Sequence, residues 1–430
     1  MRIAIPQAVE DIIGRLRDHG FEAFAVGGCV RDSLLGREPG DWDITTSASP
    51  YQVKEIFHRT IDTGIQHGTV TIMQNHIGYE VTTYRIDGEY VDGRHPKTVE
   101  FTSELKEDLC RRDFTINAMA YSHETGIVDI FGGAEDLRAG VIRCVGKPED
   151  RFREDALRIL RAIRFSAQLG FSIEEQTKAA IRSIAPNLAR VSKERIQTEL
   201  TKLLLSAHPE IIREVYTMGV SPYISPAFHQ IFCRMFHPAD CSRSRFSIPS
   251  ELPPQKHIRW AVCLNDGSQE EAVQVLKELK LDNATISRVS TLHPWISRTI
   301  LADKVEIRRA ISQMGPELFD DLLVIKEALA SKMAKEVPAK KMTEEAPEQE
   351  QVSGQEQIKQ IKKLTREIHK SDDCTCLKDL AVTGKDLLAH GMKPGKQVGE
   401  TLSRLLDYVL VHPEANQKEL LLNMSDFIYS

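Results

Sequence analysis

The feature that most constrains this chain is a change of hydrophobic period near Gly146-Lys147-Pro148. Before it, short β-type runs alternate with helical pieces. Ala8 to His19 reads as a helix, while EAFAV (22–26), WDITT (42–46), TVTIMQ (69–74), YEVTTYRI (79–86), KTVEF (97–101) and IVDIF (127–131) read as strands. After it, apolar residues recur at helical spacing, as in RFREDALRILRAIRFSAQLG, SKERIQTELTKLLLS and EEAVQVLKELKL, and strand signals stop. The expected fold class is therefore α+β: strands and helices up to about residue 140, then an all-helical remainder. Residues 221–256 read as an irregular connection and 335–357 as a charged linker or solvated helix; tail helices resume around a turn at Gly391 to Gly395.

A chain of 430 residues, 41% apolar and 27% charged, has ample material for two to four soluble domains. Its net charge of −6 argues against coating nucleic acid by bulk charge but leaves room for a local basic track. Eight cysteines, paired closely only at Cys374-Thr375-Cys376, lack four-ligand zinc spacing and suggest free thiols in a reducing compartment. The N-terminal stretch has no apolar signal core, and no apolar run approaches the roughly 18 residues of a membrane span, so the expected location is cytoplasmic.

The chemistry concentrates in FAVGGCVRDSLLGREPGDWDITT, residues 24–46. A strand runs into Gly27-Gly28, and Cys29 to Leu35 begins a helix whose backbone N–H groups suit a triphosphate, with Arg31 adding a fork for phosphate oxygens. Asp41 and Asp43 flank Trp42, and on a strand the period of two puts both carboxylates on one face, where they would hold one or two Mg²⁺ ions. Taken alone, the glycine pair also fits an ordinary turn and the Asp pair exposed strand charge. There is no Walker A pattern, which excludes a P-loop enzyme. A second stretch, EDALRILRAIRF (154–165), predicts an amphipathic helix with Asp155, Arg158, Arg161 and Arg164 fanned over its polar half. An acid at a helix start and arginines towards its end also suit the helix dipole.

GGCVRDSLLGREPGDWDITT resembles the signature of the class II branch of the polymerase-β-like nucleotidyltransferases, which holds the tRNA CCA-adding enzymes and bacterial poly(A) polymerases. The resemblance continues in LCRRDFTINAMAY (109–121), DIFGGAEDL (129–137), REDALRILRAIRF and VSKERIQTEL (191–200), five blocks spanning about residues 22–205. The tail LAVTGKDLLAHGMKPGKQVG looks like that of CCA-adding enzymes from low-GC Gram-positive bacteria. The resemblance implies a nucleotidyltransferase head over 1–140, a neck with the nucleotide-selecting helix over 141–210, a body over 211–334, and a linker and tRNA-binding tail over 335–430. It implies Asp41 and Asp43 as catalytic Mg²⁺ ligands and Gly28, Arg31, Arg112, Asp155, Arg158, Arg161 and Arg164 as nucleotide contacts. Glu80 is a candidate third carboxylate or a plain surface acid. The Gly-Gly of DIFGGAEDL is expected to join domains, and Arg195 and Glu199 to brace helices.

The implied reaction is attack by a tRNA 3′-hydroxyl on the α-phosphate of CTP or ATP, with pyrophosphate leaving. Cytosine and adenine both present an amino donor beside a ring-nitrogen acceptor. A carboxylate and a guanidinium side by side, Asp155 and Arg158, complement that edge and oppose uracil and guanine. The segment YRIDGEYVDGRHPKTVEF (84–101) looks like the loop that C-only enzymes lack, which leaves full CCA addition or A-only addition. RTIDTGIQHGTVTIM stands where poly(A) polymerases carry a basic segment, which counts against polyadenylation, and the paired aspartates count against a silent RNA-binding scaffold. Lys378, Lys385, Lys393 and Lys396 are candidate contacts to the acceptor and TΨC arms, or simply solubilising charge.

Overall fold

A computed structural model describes residues 3–88, 99–236, 248–336 and 348–429. The chain divides into two compact units: Met1–Ser247 with Glu278–Lys280, and Ile248–Lys277 with Leu281–Ser430. The segment expected as a body, 211–334, is thus shared between them.

In the first unit, α1 (Gln7–Asp18) buries Val9, Ile12, Ile13 and Leu16, the stripe its spacing dictates. The strands are β1 (Ala23–Val26), β2 (Ile44–Thr46), β3 (Thr60–Gly64), β4 (Thr69–Gln74), β5 (Ile77–Thr83), β6 (Arg85–Asp87), β7 (Val99–Phe101), β8 (Met119–Ser122) and β9 (Gly126–Asp129). Seven of them form a mixed sheet in the order β3-β4-β5-β2-β1-β8-β9, and β6 pairs with β7 separately. Only β2 and β5 run parallel, with Ile44 opposite Val81; the other pairs in the large sheet are antiparallel. Helices α2 (Gly28–Leu34), α3 (Pro50–Ile56), α4 (Leu105–Cys110) and α5 (Gly133–Ala139) complete the head, and Phe24, Val26, Tyr84, Leu109, Ala118, Ala120 and Val145 share one core cluster.

Several expectations need correction. The run 79–86 is two strands, β5 and β6, with the fully buried Tyr84 between them. Strands β3 and β8 lie where none was read, and β10 (Val141–Ile142) pairs in parallel with β11 (Ser172–Ile173), inside the stretch expected to be wholly helical. Gly132-Gly133 does not join domains. A side chain on Gly133 would sit 2.2 Å from the Thr115 carbonyl oxygen, so this glycine lets α5 lie against the Arg-Arg-Asp block within the head.

EDALRILRAIRF is not one helix. α6 (Pro148–Glu154) ends at Asp155, whose backbone is extended (φ −143°, ψ 103°), and α7 (Leu157–Leu169) starts afresh. Then follow α8 (Glu175–Ile184), α9 (Lys193–Leu204), the short α10 (Glu214–Thr217) and α11 (Pro226–Met235), the last a helix inside the stretch read as irregular. The second unit is helical among its described residues: α12 (Lys256–Cys263), α13 (Gln269–Glu278, its last residue in the first unit), α14 (Asn283–Ile296), α15 (Lys304–Met314), α16 (Pro316–Glu336), α17 (Glu348–Lys370), α18 (Gly384–Ala389), α19 (Lys396–Val411) and α20 (Lys418–Tyr429). Among the described residues no helix is long and apolar enough to cross a membrane.

Candidate active site

β1 is followed by Gly27, which has φ +84° and precedes α2; a side chain there would come within 2.9 Å of Arg112 Nη1. Gly27, more than Gly28, is therefore the residue whose bareness the site needs. Asp41 and Asp43 lie just before β2 rather than on it, although the Asp43 carbonyl still accepts from Val26 N–H at 3.0 Å. Both carboxylates are exposed, and neither has a side-chain hydrogen bond or ion pair among the described residues. Protein crowding raises the Asp43 pKa; Arg112 opposes this, and the charges of Glu80 and then Asp41 push it further up. Glu80, exposed on β5 opposite Thr71, thus lies within electrostatic reach of the pair. Crowded like charge of this kind, only partly offset by Arg112, is what a hard cation neutralises. No group of three or more ligating side chains exists among the described residues, so two carboxylates would share the ion with water and phosphate oxygens, as Mg²⁺ commonly allows.

The arginines are held by protein acceptors. Arg31 lies across Asp32 with Nε and Nη2 at 2.9 and 2.8 Å, and donates from Nη1 to Asn117 Oδ1 at 2.7 Å. Asp108, fully buried, accepts from Thr45, Arg111 and Arg112. Burial alone would raise its pKa, but Arg111 and then Arg112 outweigh that and lower it. Asp113 accepts from Arg161 Nε at 2.8 Å and from Asn117 Nδ2 at 3.2 Å. Its burial is likewise overcome, by Arg161 and then Arg158, and its carboxyl falls to about 2.

The break at Asp155 alters the expected base-reading pair. Asp155 Oδ1 accepts from Leu157 N–H at 3.0 Å, and its Oδ2 is 2.7 Å from Arg195 Nη2 on α9. Arg158 donates to Glu154 at 2.5 Å and to the carbonyls of Arg151 and Arg111 at 3.2 and 3.1 Å. Asp155 and Arg158 are adjacent through the Arg158 N–H to Asp155 carbonyl bond of 3.0 Å, not through a shared helix face. Arg164 is buried against Glu199, Nε to Oε2 2.6 Å. Arg195 and Glu199 therefore brace α9 against Asp155 and α7, as expected.

The "Poly A polymerase head domain" family matches residues 23–143, an RNA-binding region of polymerase A matches 170–232, and tRNA nucleotidyltransferase domain 2 matches 255–424. A CCA-adding enzyme of Lactiplantibacillus plantarum is 35% identical over 98% of this chain and 96% of its own. The chain belongs to the CCA-adding enzyme family. A CCA-adding enzyme of Leuconostoc mesenteroides is 53% identical over 206 residues, 47% of this chain and 51% of that one. The Bacillus stearothermophilus CCA-adding enzyme, solved in complex with CTP, superposes with a TM-score of 0.78 at 31% identity, over 98% of this chain and 97% of its own.

Within this CCA-adding enzyme framework, several site residues escaped the sequence reading. Phe165 underlies three guanidiniums, with Arg164, Arg31 and Arg161 at 4.0, 5.1 and 5.3 Å from its ring centre. Its signal was its place beside Arg164 in the arginine ladder, masked by its fit to the apolar stripe. Asp108 and Asn117 carry a plainer signal: each stands four residues from a member of Arg111-Arg112-Asp113. The tail lysines Lys378, Lys385, Lys393 and Lys396 are all exposed, and Lys396 pairs with Glu400 at 3.4 Å. Most of the loop read at 84–101, including Arg94-His95-Pro96, lies outside the described residues.

Proposed function

We propose that this chain adds C, C and A to the 3′ end of tRNA from CTP and ATP, releasing pyrophosphate and using no nucleic-acid template. The observation that carries the reading is near full-length similarity to CCA-adding enzymes, together with two unpartnered aspartates beside a Gly-Gly strand end. Asp41 and Asp43 are the Mg²⁺ ligands in this reading. Bound there, Mg²⁺ would polarise the triphosphate and favour the hydroxyl nucleophile. Gly28 and Arg31 receive the phosphates, Arg112 supports them from the next block, and Glu80 keeps negative charge beside the ion. Asp155 and Arg158 read the base edge, with Arg161 and Arg164 as further contacts. Because both reading groups already have protein partners, base recognition proceeds by sharing or exchanging the contacts to Arg195 and Glu154.

The proposed division of labour is head 1–140, neck 141–210, body 211–334 and tail 335–430, the tail gripping tRNA by backbone and shape in the cytoplasm. A-only addition is the second reading, because the loop before the Arg-Arg-Asp block is present in the sequence. The metal assignment is tested with Asp41→Ala and Asp43→Ala. Each should fold normally and lose at least about a thousandfold in CTP incorporation with Mg²⁺. Activity within tenfold of the parent would refute it.

A further inference from the structure

Asn117 lies where two parts of the pocket meet. It is 6% exposed and is 86 residues from Arg31 in the sequence, yet its Oδ1 accepts from Arg31 Nη1 at 2.7 Å. Its Nδ2 donates to Asp113 Oδ1 at 3.2 Å, and the other Asp113 oxygen holds Arg161, with Nη2 at 2.6 Å. A buried group placed between a cation and an anion must accept on one side and donate on the other. An amide does both, in one orientation only. A carboxylate would face Asp113 with like charge, and an apolar side chain would strip a partner from each neighbour. Phe165 supports the same two guanidiniums from beneath.

We propose that Asn117 is a positioning residue that sets Arg31 and, through Asp113, Arg161 in a fixed relation, so that the phosphate side and the base side of the nucleotide pocket are held together. The inference rests on the proposed reading of Arg31 and Arg161 as nucleotide contacts. Asn117 itself need not touch the nucleotide. Its loss is felt in nucleotide affinity, because the guanidiniums must be re-ordered each time a triphosphate binds.

The test is steady-state kinetics of the full chain on tRNA ending before the first C, with CTP varied, for N117A, N117D, R31A and N117A/R31A. The expected result for N117A is a KM raised about tenfold with kcat within about threefold. The double variant should be no worse in KM than R31A alone, since groups acting as a unit are not additive. N117D keeps the shape and the oxygen facing Arg31 but opposes Asp113, so its KM should rise at least about threefold. It decides the matter if N117A does not fold. Wild-type KM in the Asn117 variants, or KM effects that multiply in the double variant, would overturn the inference while leaving the Arg31 assignment standing. Wild-type KM in R31A would overturn both.

Discussion

Asp155 has two tasks. Its carboxylate accepts from Leu157 N–H at the junction of α6 and α7 and ties that junction to α9 through Arg195, while in the proposed mechanism it accepts a hydrogen bond from the amino group of cytosine or adenine. Asp155→Ala should therefore relax the preference for CTP over UTP by about ten- to a hundredfold, and cost about 1 kcal/mol of stability through the lost hydrogen bonds to Leu157 N–H and Arg195. Competition between the two triphosphates on one tRNA reads this directly, and an unchanged preference would refute the base-reading role. Asp113 gives a pH-dependent counterpart. Its folded-state carboxyl titrates near 2, below the usual 3.8, so its contribution to stability is complete above about pH 4 and is lost as pH falls towards 2. That contribution is about 2 kcal/mol. Asp113→Asn should lower stability at neutral pH and flatten the acid limb of a stability–pH curve; an acid limb as steep as the parent's would contradict the assignment.

At the scale of elements, α7 and α9 are joined by the ion pair Arg164–Glu199, whose side chains are 9% and 7% exposed. Glu199→Ala or Arg164→Ala leaves a buried charge uncompensated and should cost about 3–5 kcal/mol, whereas replacing both with apolar residues should cost far less. Denaturant unfolding of the three variants checks this, and equal losses would show that the pair itself is not the determinant. The same elements show what local sequence can and cannot carry. α1 and β4 coincide closely with their patterns because their apolar period and their burial agree. The helix break at Asp155 was hidden because the apolar positions keep helical spacing across it, while the deciding contacts come from Arg195, 40 residues away. Strand β8, Met119–Ser122, has helix-favouring Met and Ala; its strand character comes from lying between β1 and β9. β3 escaped because it is an edge strand whose Ile61 is 51% exposed, so no buried face marks it. Asp41 and Asp43 were legible as a pair, whereas the approach of Glu80 depends on the parallel pairing of β2 with β5, which no short window contains.

For the whole molecule, the residues proposed for nucleotide chemistry lie in the first compact unit, and every tail lysine proposed as an RNA contact lies in the second. A tRNA-extending enzyme needs both functions, and three defined substrates separate the activities such a chain could have. The decisive measurement is extension of tRNAs ending before the first C, after CC, and after CCA by the purified full chain with CTP, ATP and Mg²⁺. A CCA-adding enzyme completes the first to CCA, adds one A to the second and leaves the third unchanged. Extension of the second substrate alone would show an A-only enzyme, and unlimited growth of A on any of them a poly(A) polymerase; either result would contradict CCA addition.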